Sequence, residues 1–357
     1  MKKVLLLENK YYKKYRNLAL MKHSTYYKNL GYNVSFSRGI PDTKDNYDTI
    51  IFSTIFTFHF EDDIKTIKYC SEKYKNSEIK IGGISATLMP SKFYEQTGIQ
   101  PCVGLNMDIE KLPPDYTLFS EHLMTGIAEV FTSRGCRQKC AFCAVKKLEP
   151  DYMLNEDWQK SIPESANSVM IHDNNLTSVD IEHFQNVMYY LKDKKIPVTF
   201  DNGFDCRLFN NEHLEAIKEI NFQNNGLRLA FDNMTQDGHI QKTIKSCLDA
   251  GISKSKIMVY VLFNFNDSFE ESMYRAREIA NLGVKPYPQQ FRPLNDVTMA
   301  NKFFGKKWTR KLAGDFRLYW LMAGLYTKVS WDDYVSGGGK YYYKNKNDQP
   351  YNPLWYI

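Results

Sequence analysis

The sequence predicts an α/β protein: a doubly wound, Rossmann-like sheet, then a partial (β/α)6 TIM-type barrel, then a short C-terminal helical and tail extension. Three observations carry this. Short apolar runs alternate with amphipathic stretches over residues 3–98. The alternation restarts near residue 126 and yields six further strand-like segments. The intervening amphipathic stretches close near helix-stop residues such as Gly251 and Gly283. The expected divisions are 1–98, a connector 99–125, the barrel 126–295 and the extension 296–357.

In the first part, VLLLE (4–8) reads as a buried strand, and an amphipathic stretch over 17–30 runs to Gly31. YNVSFS (32–37) alternates as a strand does, and DTIIFST (48–54) is a second apolar run. Residues 61–75 read as a helix, and IKIGG (79–83) as a short strand ending in glycines. Pro101, Gly104, Pro113 and Pro114 interrupt any periodicity in the connector. In the second part the strand-like segments are 128–133, 168–173, 197–201, 227–232, 256–263 and 285–291. Helical patterns cover 179–193, 211–220, 236–250 and 269–282, and 306–328 reads as one more helix.

The 357 residues suit two domains better than one. No apolar run reaches the ~18–20 residues of a membrane helix, and the short apolar run after MKK reads as a first strand rather than a leader. The expected compartment is the cytoplasm. A net charge of +6 tolerates an anionic partner, nucleic acid included, without arguing for one. Of the seven cysteines, Cys70, Cys102, Cys206 and Cys247 are too scattered for a disulfide framework.

The other three are crowded into 132-TSRGCRQKCAFCAVKKLEP-150 as Cys136-x3-Cys140-x2-Cys143. Thiolates are soft ligands for iron–sulfur clusters or zinc. A structural zinc site wants four closed ligands, and the closest downstream histidine is His172. A cubane cluster on three thiolates leaves one iron open to a small molecule. Zinc binding and simple electron carriage are the alternatives, and either describes a non-catalytic binding protein.

The Cx3Cx2C spacing, the aromatic Phe142 before its last cysteine and the β/α units that follow resemble the radical S-adenosylmethionine (SAM) superfamily over roughly residues 126–295. The resemblance implies a 4Fe-4S cluster on Cys136, Cys140 and Cys143, with SAM chelated at the open iron. It implies reductive cleavage of SAM to a 5′-deoxyadenosyl radical, which abstracts hydrogen from a substrate the motif does not identify. A low-potential donor, flavodoxin or ferredoxin, is then implied as a partner.

In that family SAM lies across the strand ends. The resemblance carries Asp173, Asn174 and Asn175 in 172-HDNNLT-177 toward the SAM amino group; the alternative is an Asx-turn that caps the next helix. In 201-DNGFDCR-207, Asp201, Asp205 and Arg207 are candidates for SAM or substrate, because charges at one barrel mouth are costly unless they meet a ligand or one another. Alternation along 228-RLAFD-232 puts Arg228, Ala230 and Asp232 on one face; Arg228 could pair with the SAM carboxylate. Leu262 and Phe263 match the family's adenine shelf, and a core strand would look the same. Phe142 is a candidate neighbour for adenine. Lys146 and Lys147 would lie near an anionic cluster, and Glu149 either reaches the barrel mouth or stays on the surface. Cys206 and Cys247 read as core cysteines.

A doubly wound domain ahead of such a barrel resembles the cobalamin-dependent subgroup. Of its motifs, the histidine after the first strand is absent, the serine motif survives as Ser53-Thr54-Ile55, and the glycine pair as Gly82-Gly83. His59 is an outside candidate near a corrin. Either cobalamin binds and the reaction is C-methylation, or the domain is degenerate and serves dimerisation or substrate binding. The tail, KYYYKNKNDQPYNPLWYI, covers the open side of the barrel or stacks on single-stranded nucleic acid.

Overall fold

The computed structural model describes residues 1–10, 15–41, 45–119 and 126–337. The tail reading and the central part of the connector's end, 120–125, lie outside the described residues. The chain is mixed α/β with parallel sheets.

The first sheet is built from β1 (Lys3–Glu8), β2 (Asn33–Arg38), β3 (Thr49–Thr54) and β4 (Glu78–Gly83), in the order β2–β1–β3–β4 and parallel throughout. Its helices are α1 (Leu18–Asn29), α2 (Phe60–Lys73), α3 (Ile84–Leu88) and α4 (Pro90–Thr97), followed by the single turn α5 (Met107–Glu110). Successive residues of β1 serve opposite faces. Val4 and Leu6 pack with Leu20 and Tyr27 of α1. Leu5 and Leu7 pack with Ile64 and Ile67 of α2 and Phe93 of α4. A strand covered on both faces has no polar side to show, which is why VLLL reads as a continuous apolar run.

The second half starts with β5 (Ile127–Val130) and the two-residue β6 (Ser133–Arg134). The segment expected as one strand over 128–133 is thus two. After the turn α6 (Val145–Leu148), β7 (Met153–Leu154) returns antiparallel to β6, with Ser133 opposite Leu154. The cysteine segment is therefore a loop closed at its base, not an open strand-to-helix connection.

Next come β8 (Ser168–Ile171), α7 (Ile181–Lys194), β9 (Val198–Phe200), β10 (Phe204–Asp205), α8 (Asn211–Ile217), β11 (Leu227–Ala230), α9 (His239–Asp249), β12 (Ile257–Phe263), α10 (Phe269–Asn281) and β13 (Lys285–Gln290). They form two parallel sheets, β5–β8–β9 and β10–β11–β12–β13. The two meet where Phe200 N–H donates to the Gly226 carbonyl at 2.8 Å. One hydrophobic core spans both, from Val130 and Ile171 through Phe200 to Leu229 and Val259, and it includes Cys206 and Cys247.

The stretch expected as one helix over 306–328 is α11 (Arg310–Leu321) and α12 (Ala323–Tyr326), followed by α13 (Trp331–Ser336). α11 brings Phe316 and Trp320 against Val261 and Phe263. Among the described residues no helix is long and apolar enough to cross a membrane.

Candidate functional site

The cysteine loop leaves β6 through Gly135. That residue has φ +74°, and a Cβ there would lie 2.5 Å from the Asp151 carbonyl, so the two ends of the loop press together and only glycine fits. Cys136, Cys140 and Cys143 are each partly exposed and free. The Cys143 N–H donates to the Cys140 carbonyl at 3.1 Å, and the Gln138 N–H points at the Cys136 sulfur at 3.3 Å. Burial raises the thiols of Cys140 and Cys143 above their ordinary range, and the neighbouring thiols add to the rise. A bound metal cation reverses that preference. Among the described residues no three His, Cys, Asp or Glu side chains are gathered as a cage for one ion.

The loop opens onto a cavity of about 500 Å³. Cys140 and Phe142 line it from the loop, Arg207 and Asp232 from the strand ends, and Phe265, Asp267, Glu271 and Arg275 from the segment after β12. Three separate stretches singled out in the sequence thus converge: Phe142, Arg207 and Asp232 share one space with Cys140.

Arg207 is held by Asp205 through two parallel hydrogen bonds, 2.9 Å from Nε and 2.7 Å from Nη2. That fork occupies the Asp205 carboxylate and aims the guanidinium's remaining edge toward Thr235, 3.3 Å away. Asp232 behaves differently. Among the described residues nothing donates a hydrogen bond to its carboxylate and no ion pair claims it. Burial lifts its pKa to about 6, although Arg275 and Arg207 pull the other way. Of the other lining acids, Asp267 pairs with Arg275 and Glu271 accepts from the Ser268 N–H.

The cavity's far wall was not legible in the sequence. Phe265 meets Phe142 edge to face, with centroids 5.9 Å apart. Arg275 is fully buried; it donates to the Phe231 carbonyl at 2.7 Å and pairs with Asp267 at 2.5 Å. One signal was available: Arg275 falls three residues after Ser272 and four before Ile279, on the buried stripe of α10.

Several expected contacts lie elsewhere. Asp173 is buried and points at the base of the cysteine loop, accepting from the Thr132 N–H (2.6 Å), the Thr132 hydroxyl (2.6 Å) and the Ser133 hydroxyl (2.5 Å). Asn174 donates to Glu149 at 2.7 Å. Glu149 in turn accepts the Gly135 N–H, so it braces the loop from behind. Asn175 accepts from the Thr177 hydroxyl at 2.7 Å, and its carbonyl accepts the Ser178 N–H at 3.0 Å. Neither contact is the helix-capping Asx-turn anticipated as the alternative, because the Asn175 side chain meets a hydroxyl and caps no backbone N–H.

Asp201 and Arg228 meet each other, not a free face of the cavity. Arg228 Nη1 lies 2.5 Å from Asp201 Oδ1 and donates to the Tyr260 hydroxyl at 2.7 Å. Leu262 shares the Tyr260 face of β12 and is buried; Phe263 is on the opposite face, sealed between Trp308 and Phe316 with centroids at 5.3 and 4.7 Å. Phe263 is therefore a core residue and offers no shelf. Lys146 and Lys147 are exposed on α6.

In the first sheet, Ser53 and Gly82 stand opposite each other, as do Thr54 and Gly83. The Ser53 hydroxyl accepts from Asn17 at 2.8 Å. A Cβ on Gly83 would lie 2.2 Å from the Thr54 carbonyl. The segment at Cys102 follows β4, its N–H donating to the Ile81 carbonyl at 2.8 Å. The serine hydroxyl is thus engaged within the domain, and the second glycine has no room for a side chain. His59 lies in an aromatic turn, 3.7 Å from Asp62.

No family model matches the chain, and no curated protein matches it.

Proposed function

We propose that this chain is a radical SAM enzyme. The observation that carries the reading is the convergence of the Cx3Cx2C loop with Phe142, Arg207 and Asp232 on one cavity of about 500 Å³. That volume is in the range of pockets that enclose a nucleoside-sized ligand. The donor set fits the cofactor: three soft thiols on one loop suit an iron–sulfur cluster with an open iron. In this reading the first sheet is a doubly wound, Rossmann-like domain, and the two later sheets are successive parts of a partial (β/α)6 barrel.

Cys136, Cys140 and Cys143 would hold a 4Fe-4S cluster. When bound, the cluster would supply the electron for reductive cleavage of SAM to a 5′-deoxyadenosyl radical and so the means to abstract hydrogen from a substrate. The chain's own residues bind and orient. Asp232 receives a hydroxyl or ammonium group of the ligand. Arg207, steadied by Asp205, offers positive charge to its carboxylate. Phe142 and Phe265 give an apolar wall that keeps water from the reacting bond. The motif residues of the first sheet are engaged locally, so no step is assigned to cobalamin. A low-potential flavodoxin or ferredoxin is the expected electron donor.

Anaerobic reconstitution with iron and sulfide, followed by dithionite and SAM, tests the reading. The expected result is a brown protein that forms 5′-deoxyadenosine, with Cys140→Ala losing cluster absorbance and product together. An intact cluster that leaves SAM uncleaved points instead to an electron carrier. Turnover retained by Cys140→Ala overturns the assignment of the thiols.

A further inference from the structure

Glu149 follows the cysteine loop in sequence and closes it in space. Its side chain is about nine-tenths buried. One oxygen accepts the Gly135 N–H and the Asn174 amide, both at 2.7 Å. The other lies 3.0 Å from Arg134 Nη2. Gly135 is the residue immediately before Cys136, so the carboxylate holds the backbone from which the first thiol departs.

The hold continues away from the loop. Arg134 stacks on Phe131 with its guanidinium carbon 3.7 Å from the ring centre, and its Nε lies 3.3 Å from Glu110 Oε1. Glu110 is reached in turn by Lys22 of α1, at 3.1 Å from the carboxylate and 2.5 Å from the backbone carbonyl. Lys22, Glu110, Arg134 and Glu149 alternate in sign, and each side chain is about 12% exposed or less. Removing one member of such a string leaves its neighbour charged and unpaired in a poorly hydrated place, so a loss at one end is felt along it.

We infer that Glu149 is a positioning residue for the cysteine loop, and that Lys22, on the first helix of the N-terminal sheet, sets the strength of that hold through Glu110 and Arg134. The seating of α1 is thereby coupled to the order of the three thiols, whichever group they hold.

The test uses the full chain without metal, in reductant, with iodoacetamide as probe. Alkylation of each cysteine is followed by peptide mass spectrometry. Taking the charge from a buried acceptor, and with it the pairing to Arg134, releases a segment by about tenfold. Glu149→Gln should therefore speed modification of Cys136, Cys140 and Cys143 about tenfold. Lys22→Met should speed it several-fold, and the double variant should be no faster than Glu149→Gln alone. Cys206 and Cys247, buried in the core, are the internal controls and should keep their rates. Wild-type rates at the loop thiols in Glu149→Gln overturn the inference. So does an equal acceleration at Cys206 and Cys247, which means general loosening. Should Glu149→Gln not fold, Asn174→Ala removes one bond to the same carboxylate and should speed the loop thiols about threefold, on the same two criteria. Iron bound per chain after reconstitution is the second readout and should fall in Lys22→Met. A wild-type chain that takes up no iron sinks the cluster reading and leaves the alkylation result to decide this one.

Discussion

The imidazole Nδ1 of His172 lies 3.0 Å from the Asp201 carboxylate. The other ring nitrogen is 3.4 Å from Glu129, whose second oxygen meets Arg16 at 2.8 Å. With Arg228 on the far side of Asp201, this makes a string of alternating charges from the segment before α1 into the second half of the chain. Burial disfavours the imidazolium, but Asp201 and Glu129 outweigh it and lift His172 to about 9 from its ordinary 6.5.

That shift predicts a pH dependence of stability. A histidine raised on folding stabilises fully below its unfolded value and loses the contribution as pH rises through the folded one. Between pH 6.5 and 9 the wild type should lose roughly 2–3 kcal/mol from this group. Urea unfolding at pH 6 and pH 9.5 measures it, with His172→Gln as comparison. The variant should be less stable at pH 6 and flatter across the window; equal losses in both chains would show that His172 is not the titrating group.

Asp173 should matter for stability ahead of ligand binding. It satisfies one buried backbone N–H and two hydroxyls at the base of the cysteine loop. Asp173→Ala strands those donors and should cost about 3 kcal/mol. The midpoint of urea unfolding, at unchanged slope, is the measurement. A cost under about 0.5 kcal/mol would mean that water replaces the carboxylate freely.

Asp232→Asn should do the reverse. Among the described residues nothing donates to its carboxylate, so the fold should be unaffected. In the reconstituted protein SAM should bind about tenfold more weakly, as expected for loss of a charged hydrogen-bond acceptor. Equilibrium dialysis with unreduced protein reads the affinity, and iron content should match wild type. Unchanged affinity would remove Asp232 from the site.

The glycine pair at the end of β4 separates two explanations. At Gly83, φ is +100° and a Cβ would press on the Thr54 carbonyl, so Gly83→Ala should cost more than about 2 kcal/mol. At Gly82 the nearest atom is 3.8 Å from the Cβ position, and Gly82→Ala should stay within about 1 kcal/mol of wild type. Thermal melts without any ligand measure both. If Gly83→Ala melts like wild type, the glycine is there for something other than the sheet.

The strands of the first sheet were legible within a residue or two because β1 and β3 are apolar runs, whose alternate side chains in β1 fill different cores, as Leu5 and Leu6 do, and β2 alternates. The β6–β7 pair and β10 were not legible, since a two-residue ladder has no period to detect. Alternation along 228–232 put Arg228 and Asp232 on one face; it carried no information that Arg228 is taken by Asp201, twenty-seven residues earlier in the chain.

For this protein the sequence alone determined the alternation of strands and helices, the spacing of Cys136, Cys140 and Cys143, and the chemical types gathered near them. Tertiary structure decided which of those polar groups remain available. Asp173, Asp201 and Arg228 are occupied by partners from other segments and Asp205 by Arg207 two residues on, while Asp232 faces the cavity with no donor among the described residues. The reason is physical: a buried charge must find a counter-charge or donor within about 3 Å, and that distance is set between elements far apart in the chain, where no local pattern records it.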